Sequence, residues 1–209
     1  MNAACRRAPR TDASHPVRPL RCISTSKPRM PASRSLEGET AGAVAEIHLG
    51  PGELACGGGA LVLFTLLGSC VAVTLWHPRQ KLGGMCHGLV PTRTRSDGKK
   101  PDGRFTDEAV DCLLSDLARR GARAEELEAK VFGGGDMFPG MDASSTDHVG
   151  VRNVESARAR LTHHRVRIAG EDVLGLYYRN IVFDVASGTV WVRRQTMPTK
   201  STSSSGSDS

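Results

Sequence analysis

Aromatic residues make up only 4% of the 209-residue chain, and no apolar stretch runs longer than Leu61 to Leu67. A helix needs roughly 20 consecutive apolar residues to cross a bilayer, so an integral helical membrane protein is excluded. The six cysteines (Cys5, Cys22, Cys56, Cys70, Cys86 and Cys112) include no C-x-x-C pair and form no evenly spaced framework. Neither a disulfide scaffold nor a dithiol redox motif is indicated. No secretory apolar segment opens the chain, and a reducing, cytoplasmic setting is the expectation.

Acidic residues are scarce at the start, where residues 1–40 hold eight basic side chains against three acidic ones. The other 169 residues hold 20 basic and 19 acidic side chains, so nearly all of the net charge of +6 belongs to a tail. The near-neutral remainder interleaves no basic residues with aromatics, which argues against nucleic acid as a partner. Five of the eleven prolines also fall within residues 1–40, with no helical or strand period. Such a segment buries too little surface to offset its ordering entropy, so disorder or an over-early start is expected there rather than a transit peptide. The Ser/Thr-rich end, residues 198–209, reads the same way. One domain, residues 41–197, remains.

Within that domain strand signals dominate. Val44, Ile47 and Leu49 precede Gly50-Pro51. Leu61 to Leu67 and Val71 to Trp76 are apolar runs separated only by Gly68-Ser69-Cys70, and Gly84 to Val90 resumes extended chain. One helix is expected after Phe105, with Thr106 as its cap, Asp107 and Glu108 at its positive end and Gly121 closing it. Leu127 to Phe132 reads as a strand ended by three glycines. A second helix is expected over about 151–163 from Val151, Val154, Ala157 and Leu161. Tyr177 to Val185 alternates, and Ser187-Gly188 turns it into Val190 to Val192 as a hairpin. The fold class is α+β: a strand-rich single domain with mixed sheet layers and two main helices packed on them.

Chemistry concentrates at Thr65-Leu66-Leu67-Gly68-Ser69-Cys70. A thiol just after a Gly-Ser bend projects from a sharp turn whose N–H groups no ladder claims, and such donors suit a tetrahedral oxyanion. His87 lies on the next extended segment, where an adjacent strand brings an imidazole to the thiol as base and acid. The alternative is plain packing, since a lone cysteine in a strand-rich core is usually a small buried hydrophobe. A zinc site built from Cys56, Cys70, Cys86 and His87 fits poorly. Its spacings of 14 and 16 lack a short ligand pair, and Cys86 and His87 point to opposite faces of a strand. Gly57-Gly58-Gly59 and Gly133-Gly134-Gly135 lack the residues that complete a phosphate loop and read as turns or as places where backbone must approach closely. His163-His164 suits a helix C-terminus better than a metal.

Leu66-Leu67-Gly68-Ser69-Cys70-Val71-Ala72-Val73 and Gly83-Gly84-Met85-Cys86-His87-Gly88-Leu89-Val90-Pro91 resemble the CheD family of chemoreceptor glutamine deamidases. The likeness extends through Gly103-Arg104-Phe105-Thr106-Asp107, Leu127 to Phe138, Gly150-Val151-Arg152-Asn153-Val154-Glu155 and Gly170-Glu171-Asp172, covering about 44–194. The resemblance implies a cysteine hydrolase with catalytic Cys70, His87 and Thr65, the last five residues before the cysteine. Gly68 and Ser69 would supply backbone support for the oxyanion, and neither metal nor organic cofactor has a role. Gly135 and Leu174 depart from the family's usual residues, and Cys86 beside the histidine leaves packing or a disulfide with Cys70 open. The implied reaction hydrolyses glutamine side chains of methyl-accepting chemotaxis receptors to glutamate. A CheC-type phosphatase is an implied partner, and no membrane insertion is expected. Two other readings stand beside it: a non-catalytic module docking on a chemotaxis phosphatase, and a transglutaminase-like enzyme joining amines to glutamine.

Overall fold

The computed structural model describes residues 44–94, 100–137 and 149–196. The expected tails, 1–40 and 198–209, lie outside the described residues, as do the two ends of the expected 41–197 domain. Among the described residues nine strands and two main helices follow in chain order: β1 Ala45–Leu49, β2 Leu54–Gly58, β3 Leu61–Leu67, β4 Val71–His77, β5 Leu82–Gly88, α1 Thr106–Ala118, β6 Glu128–Gly133, α2 Val149–His163, β7 Arg167–Val173, β8 Tyr177–Asp184 and β9 Thr189–Thr196. They form a four-stranded sheet, β1-β3-β8-β9, and a five-stranded sheet, β2-β5-β4-β6-β7. Each is mixed, with β1–β3 and β6–β7 parallel and every other pair antiparallel. The α+β expectation, with mixed sheets and two helices, holds.

The layering follows from which strand faces are apolar. Along β3, Leu61, Leu63, Thr65 and Leu67 are buried, whereas the alternate residues are more open, the pattern of a sheet covered on one side only. β4 and β5 are buried on both sides almost throughout, so they belong to a middle layer. One core lies between the sheets and includes Leu63, Leu67, Ala72, Met85, Ile181 and Phe183. A second lies between the five-stranded sheet and the helices, with Val73, Leu75, Cys86, Leu113, Leu117, Val154 and Leu161. Consecutive residues of β4 and β5 feed different cores because side chains alternate along a strand.

Four local expectations are corrected. The cap of α1 is Phe105, which is extended and makes no side-chain cap. Thr106 is instead the first helical residue, and its hydroxyl donates to the Val90 carbonyl across to the end of β5. Helix α2 starts at Val149, and its buried face is Gly150, Asn153, Val154, Ala157 and Leu161 rather than one that includes exposed Val151. Gly57 and Gly58 belong to β2, where they pair with Gly83 and Leu82 of a glycine-containing β5; only Gly59 turns the chain, at φ +72°. His164 lies beyond α2 and holds the Asp111 carboxylate at 2.8 Å, beside the Arg160 guanidinium, so it is more than a helix-dipole partner.

Candidate active site

Cys70 occupies the single residue between the Gly68-Ser69 bend and β4. Ala72, two residues on, is the register partner of His87 in β5, so Cys70 and His87 are diagonal neighbours along one face. That face is the inter-sheet one: half-buried Cys70 packs against the core containing Ala72 and Met85, and His87 has the parity of Met85. Thr65 reaches the same space from β3, among buried Leu63 and Leu67. The structure thus brings Thr65 of β3, Cys70 just ahead of β4 and His87 of β5 to one end of the inter-sheet layer.

The hydrogen bonds fix the state of the imidazole. Thr65 Oγ1 lies 2.8 Å from the Leu49 carbonyl oxygen and 2.8 Å from His87 Nδ1. A hydroxyl has one proton, and a carbonyl can only accept. The hydroxyl therefore donates to Leu49 and accepts from His87, which places the imidazole proton on Nδ1. Nε2 is left with its lone pair, and among the described residues this buried atom has no partner. A protonless ring nitrogen with no partner among the described residues therefore lies on the cysteine's side of the sheet, in a form able to accept a proton.

Burial sets the resting charges. It pushes the Cys70 thiol above its ordinary value of 9.0, opposed only by the residue's own backbone N–H. It pulls His87 below its ordinary 6.5, against the raising influence of the Leu49 carbonyl and the Glu53 carboxylate. Both shifts favour neutral forms, so thiol and imidazole rest uncharged and not as a thiolate–imidazolium pair. One expected result follows. The kcat/KM plateau should extend from below pH 6.5 to above pH 9, its acid limb falling as His87 takes a proton. The alkylation rate of Cys70 by iodoacetamide should still be climbing above pH 9. A rate already level at pH 5–6 would establish a preformed ion pair and overturn this assignment.

The carbonyls of the Gly68-Ser69-Cys70 turn are all held. Gly135 N–H donates to Gly68 O at 2.9 Å, and Gly134 N–H donates to Cys70 O at 2.8 Å. Gly133 makes that approach feasible: its φ is +106°, and a Cβ there would collide with the Cys70 carbonyl. The glycine triplet, expected as a turn or a close backbone approach, is the cradle of the cysteine turn. The remaining carbonyl, Ser69 O, is held by the side chain of Asn153 in α2.

The other cysteines stay apart. Cys56 and Cys86 face the helical core, on the opposite side of the sheet from Cys70 and His87, so the four do not converge on a metal. Cys86 is a free thiol pushed up to about 12, chiefly by complete burial, and it packs instead of bonding to Cys70. No cluster of three or more ligating side chains occurs among the described residues. No helix among them is long and apolar enough to cross a membrane.

Fold and site together define a two-sheet α+β domain that presents a thiol and a tautomer-locked imidazole on one face of a sheet. The family described as CheD chemotactic sensory transduction matches residues 89–194, beginning just beyond His87. The chain is 44% identical over 155 residues to a probable chemoreceptor glutamine deamidase CheD of Pseudomonas savastanoi, a match covering 74% of this chain and 87% of that protein. It is 43% identical over 154 residues to one named CheD 2 from Albidiferax ferrireducens, with 73% and 88% covered. The chain belongs to the CheD family. Among solved structures, that of Bacillus licheniformis hypothetical protein YfiH overlaps 59% of this chain and 50% of its own at TM-score 0.36 and 15% identity, too slight a likeness to bear on function.

Proposed function

We propose that the protein hydrolyses the side-chain amide of chemoreceptor glutamines to glutamate and ammonia, with Cys70 as nucleophile and His87 as base and acid. The observation that carries the proposal is the Leu49–Thr65–His87 hydrogen-bond chain, which leaves Nε2 free on the cysteine's side of the sheet. Its relatives' names supply the substrate class.

In the first half-reaction His87 Nε2 takes the thiol proton as Sγ bonds to the carboxamide carbon. The carbonyl oxygen gains the negative charge and is met by backbone N–H groups of the Gly68-Ser69-Cys70 turn. The tetrahedral species collapses, the C–N bond breaks and Nε2 returns the proton to the departing ammonia, leaving a thioester. In the second half-reaction Nε2 takes a proton from water, hydroxide adds to the thioester carbon, and the thiolate leaves and is reprotonated. Thr65 keeps the imidazole in the Nδ1–H tautomer throughout, a supporting role. The scheme closes without a metal or an organic cofactor.

Each turnover replaces a neutral amide with a carboxylate. In a helical receptor bundle this changes helix–helix electrostatics, the physical means by which deamidation sets signalling bias in chemotaxis. The setting is cytoplasmic, where receptor signalling helices and a CheC-type phosphatase partner would be met. The test mixes the purified protein with cytoplasmic chemoreceptor fragments and follows Gln→Glu conversion by peptide mass spectrometry, with Cys70→Ala as control. Conversion by the wild type alone is expected. Equal conversion by both would remove Cys70 from the chemistry, and none by a folded, reduced wild type would favour a docking role on the phosphatase. Added primary amine is expected to stay unincorporated; its covalent attachment would mark a transglutaminase.

A further inference from the structure

Asn153 is fully buried near the start of α2, in a Gly-Val-Arg-Asn segment for which the proposed chemistry has so far found no use. Its side chain has three polar neighbours. Nδ2 lies 3.1 Å from Ser69 O and 3.1 Å from Leu89 O, and Oδ1 lies 3.4 Å from the Thr106 hydroxyl. Two carbonyls can only accept, so the atom facing both is the NH2 group and its orientation is settled by chemistry. One amide thereby ties the nucleophile turn to the chain just past β5, within three residues of His87.

The consequence lies in the peptide plane that Asn153 grips. Ser69 C=O and Cys70 N–H belong to one trans peptide, in which the two bonds point in opposite directions. Asn153 stands on the helical side of the five-stranded sheet, one turn before Ala157 of the helical core. Drawing Ser69 O toward that side turns Cys70 N–H the other way, into the inter-sheet face that holds Cys70, Thr65 and His87. The lowering influence of this N–H on its own thiol agrees with that direction. The neighbouring Gly68 and Cys70 carbonyls are fixed by Gly135 and Gly134, so Asn153 is the side chain that sets the remaining plane. Gly150 permits the approach, because a Cβ there would meet the Gly134 carbonyl at 2.5 Å.

We infer that Asn153 is a positioning residue for deamidation, aiming the Cys70 amide at the oxyanion by holding the Ser69 carbonyl. The inference rests on Cys70 acting as the nucleophile.

The two halves of the chemistry separate in a test. Iodoacetamide alkylates Cys70 by displacing iodide from a methylene carbon, a step that builds no oxyanion. Asn153→Ala should lower kcat for receptor-fragment deamidation about 100-fold with KM little changed, as for loss of an oxyanion donor, while Cys70 alkylation slows only severalfold, by the thiolate stabilisation that its own amide supplies. Thr106→Val is the gentler variant: Val90 O keeps the Thr106 backbone N–H at 2.8 Å, while the hydroxyl's bond to Val90 O and its 3.4 Å contact with Asn153 Oδ1 are lost together. Its melting temperature should fall by only a few degrees and its kcat by about tenfold, in proportion to a loosened amide. Unchanged kcat in folded Asn153→Ala, or in Thr106→Val should the first variant not fold, overturns the inference. So does a parallel fall in deamidation and alkylation, which would mean that Asn153 merely supports the fold. Wild-type activity in Cys70→Ala would instead strike down the nucleophile, and the inference with it.

Discussion

His87→Ala is expected to lower deamidation by about 10⁴-fold while leaving the domain folded, because in the proposed scheme the imidazole is base in one step and acid in the next. The fold should tolerate the change. His87 is buried, but its only side-chain hydrogen bond among the described residues is to Thr65, whose hydroxyl keeps the Leu49 carbonyl as a partner. The substitution also removes a buried nitrogen that has no partner. Thr65 should behave differently. Thr65→Val deletes the acceptor that selects the Nδ1–H tautomer, yet both proposed catalytic groups remain, so a loss of roughly 10- to 100-fold is expected. Thr65→Ser, which keeps the hydroxyl, should recover most of it. Single-turnover deamidation with thermal melts run in parallel checks the series. A His87→Ala enzyme as active as the wild type would take the imidazole out of the mechanism.

The local parts of this site were legible in the sequence, and the reasons are physical. A Gly-Ser bend between two apolar runs, and an alternation that sends Cys86 one way and His87 the other, are consequences of strand periodicity and need no tertiary information. The same is true of α1, whose apolar stripe sits behind two acidic residues. What stayed hidden depends on pairing. Thr65 stood out only through family likeness, since nothing in its spacing tells which carbonyl it meets or which ring nitrogen it accepts from. Strand β2 was masked by Gly57 and Gly58, which read as turn residues until the glycines of β5 lie opposite. Asn153 did leave a signal. It occupies a core-facing helical position, where asparagine is a poor helix former, and a polar amide in an apolar stripe asks for partners. Its partners are 64 and 84 residues away, a distance that no local pattern spans.

Asp172→Ala is expected to be among the most destabilising single changes in the domain, although Asp172 touches none of the three proposed catalytic side chains. Its carboxylate accepts from Arg179 Nε at 3.0 Å, and the Arg179 side chain is 2% exposed. Arg179 also donates to the Tyr177 and Leu174 carbonyls, so the guanidinium clamps the turn between β7 and β8 from inside. Removing the aspartate strands a buried cation whose remaining partners are neutral carbonyls, a loss of about 3–5 kcal/mol. For a domain of this size that corresponds to a fall in melting temperature of roughly 10 °C. The adjacent residue supplies the control. Glu171 pairs with Arg158 at 2.8 Å, but Arg158 is 43% exposed, and Glu171→Ala should cost at most about 1 kcal/mol. The clamp also reaches the nucleophile turn: Leu174 N–H donates to Gly133 O and Asp136 N–H to Gly175 O, on either side of the two glycine amides that hold the Gly68 and Cys70 carbonyls. Asp172→Ala should therefore lose activity below its melting point as that cradle loosens, whereas Glu171→Ala should not. Equal, small shifts in both variants would show that the buried pair contributes no more than the exposed one, and that the turn is held by its backbone alone.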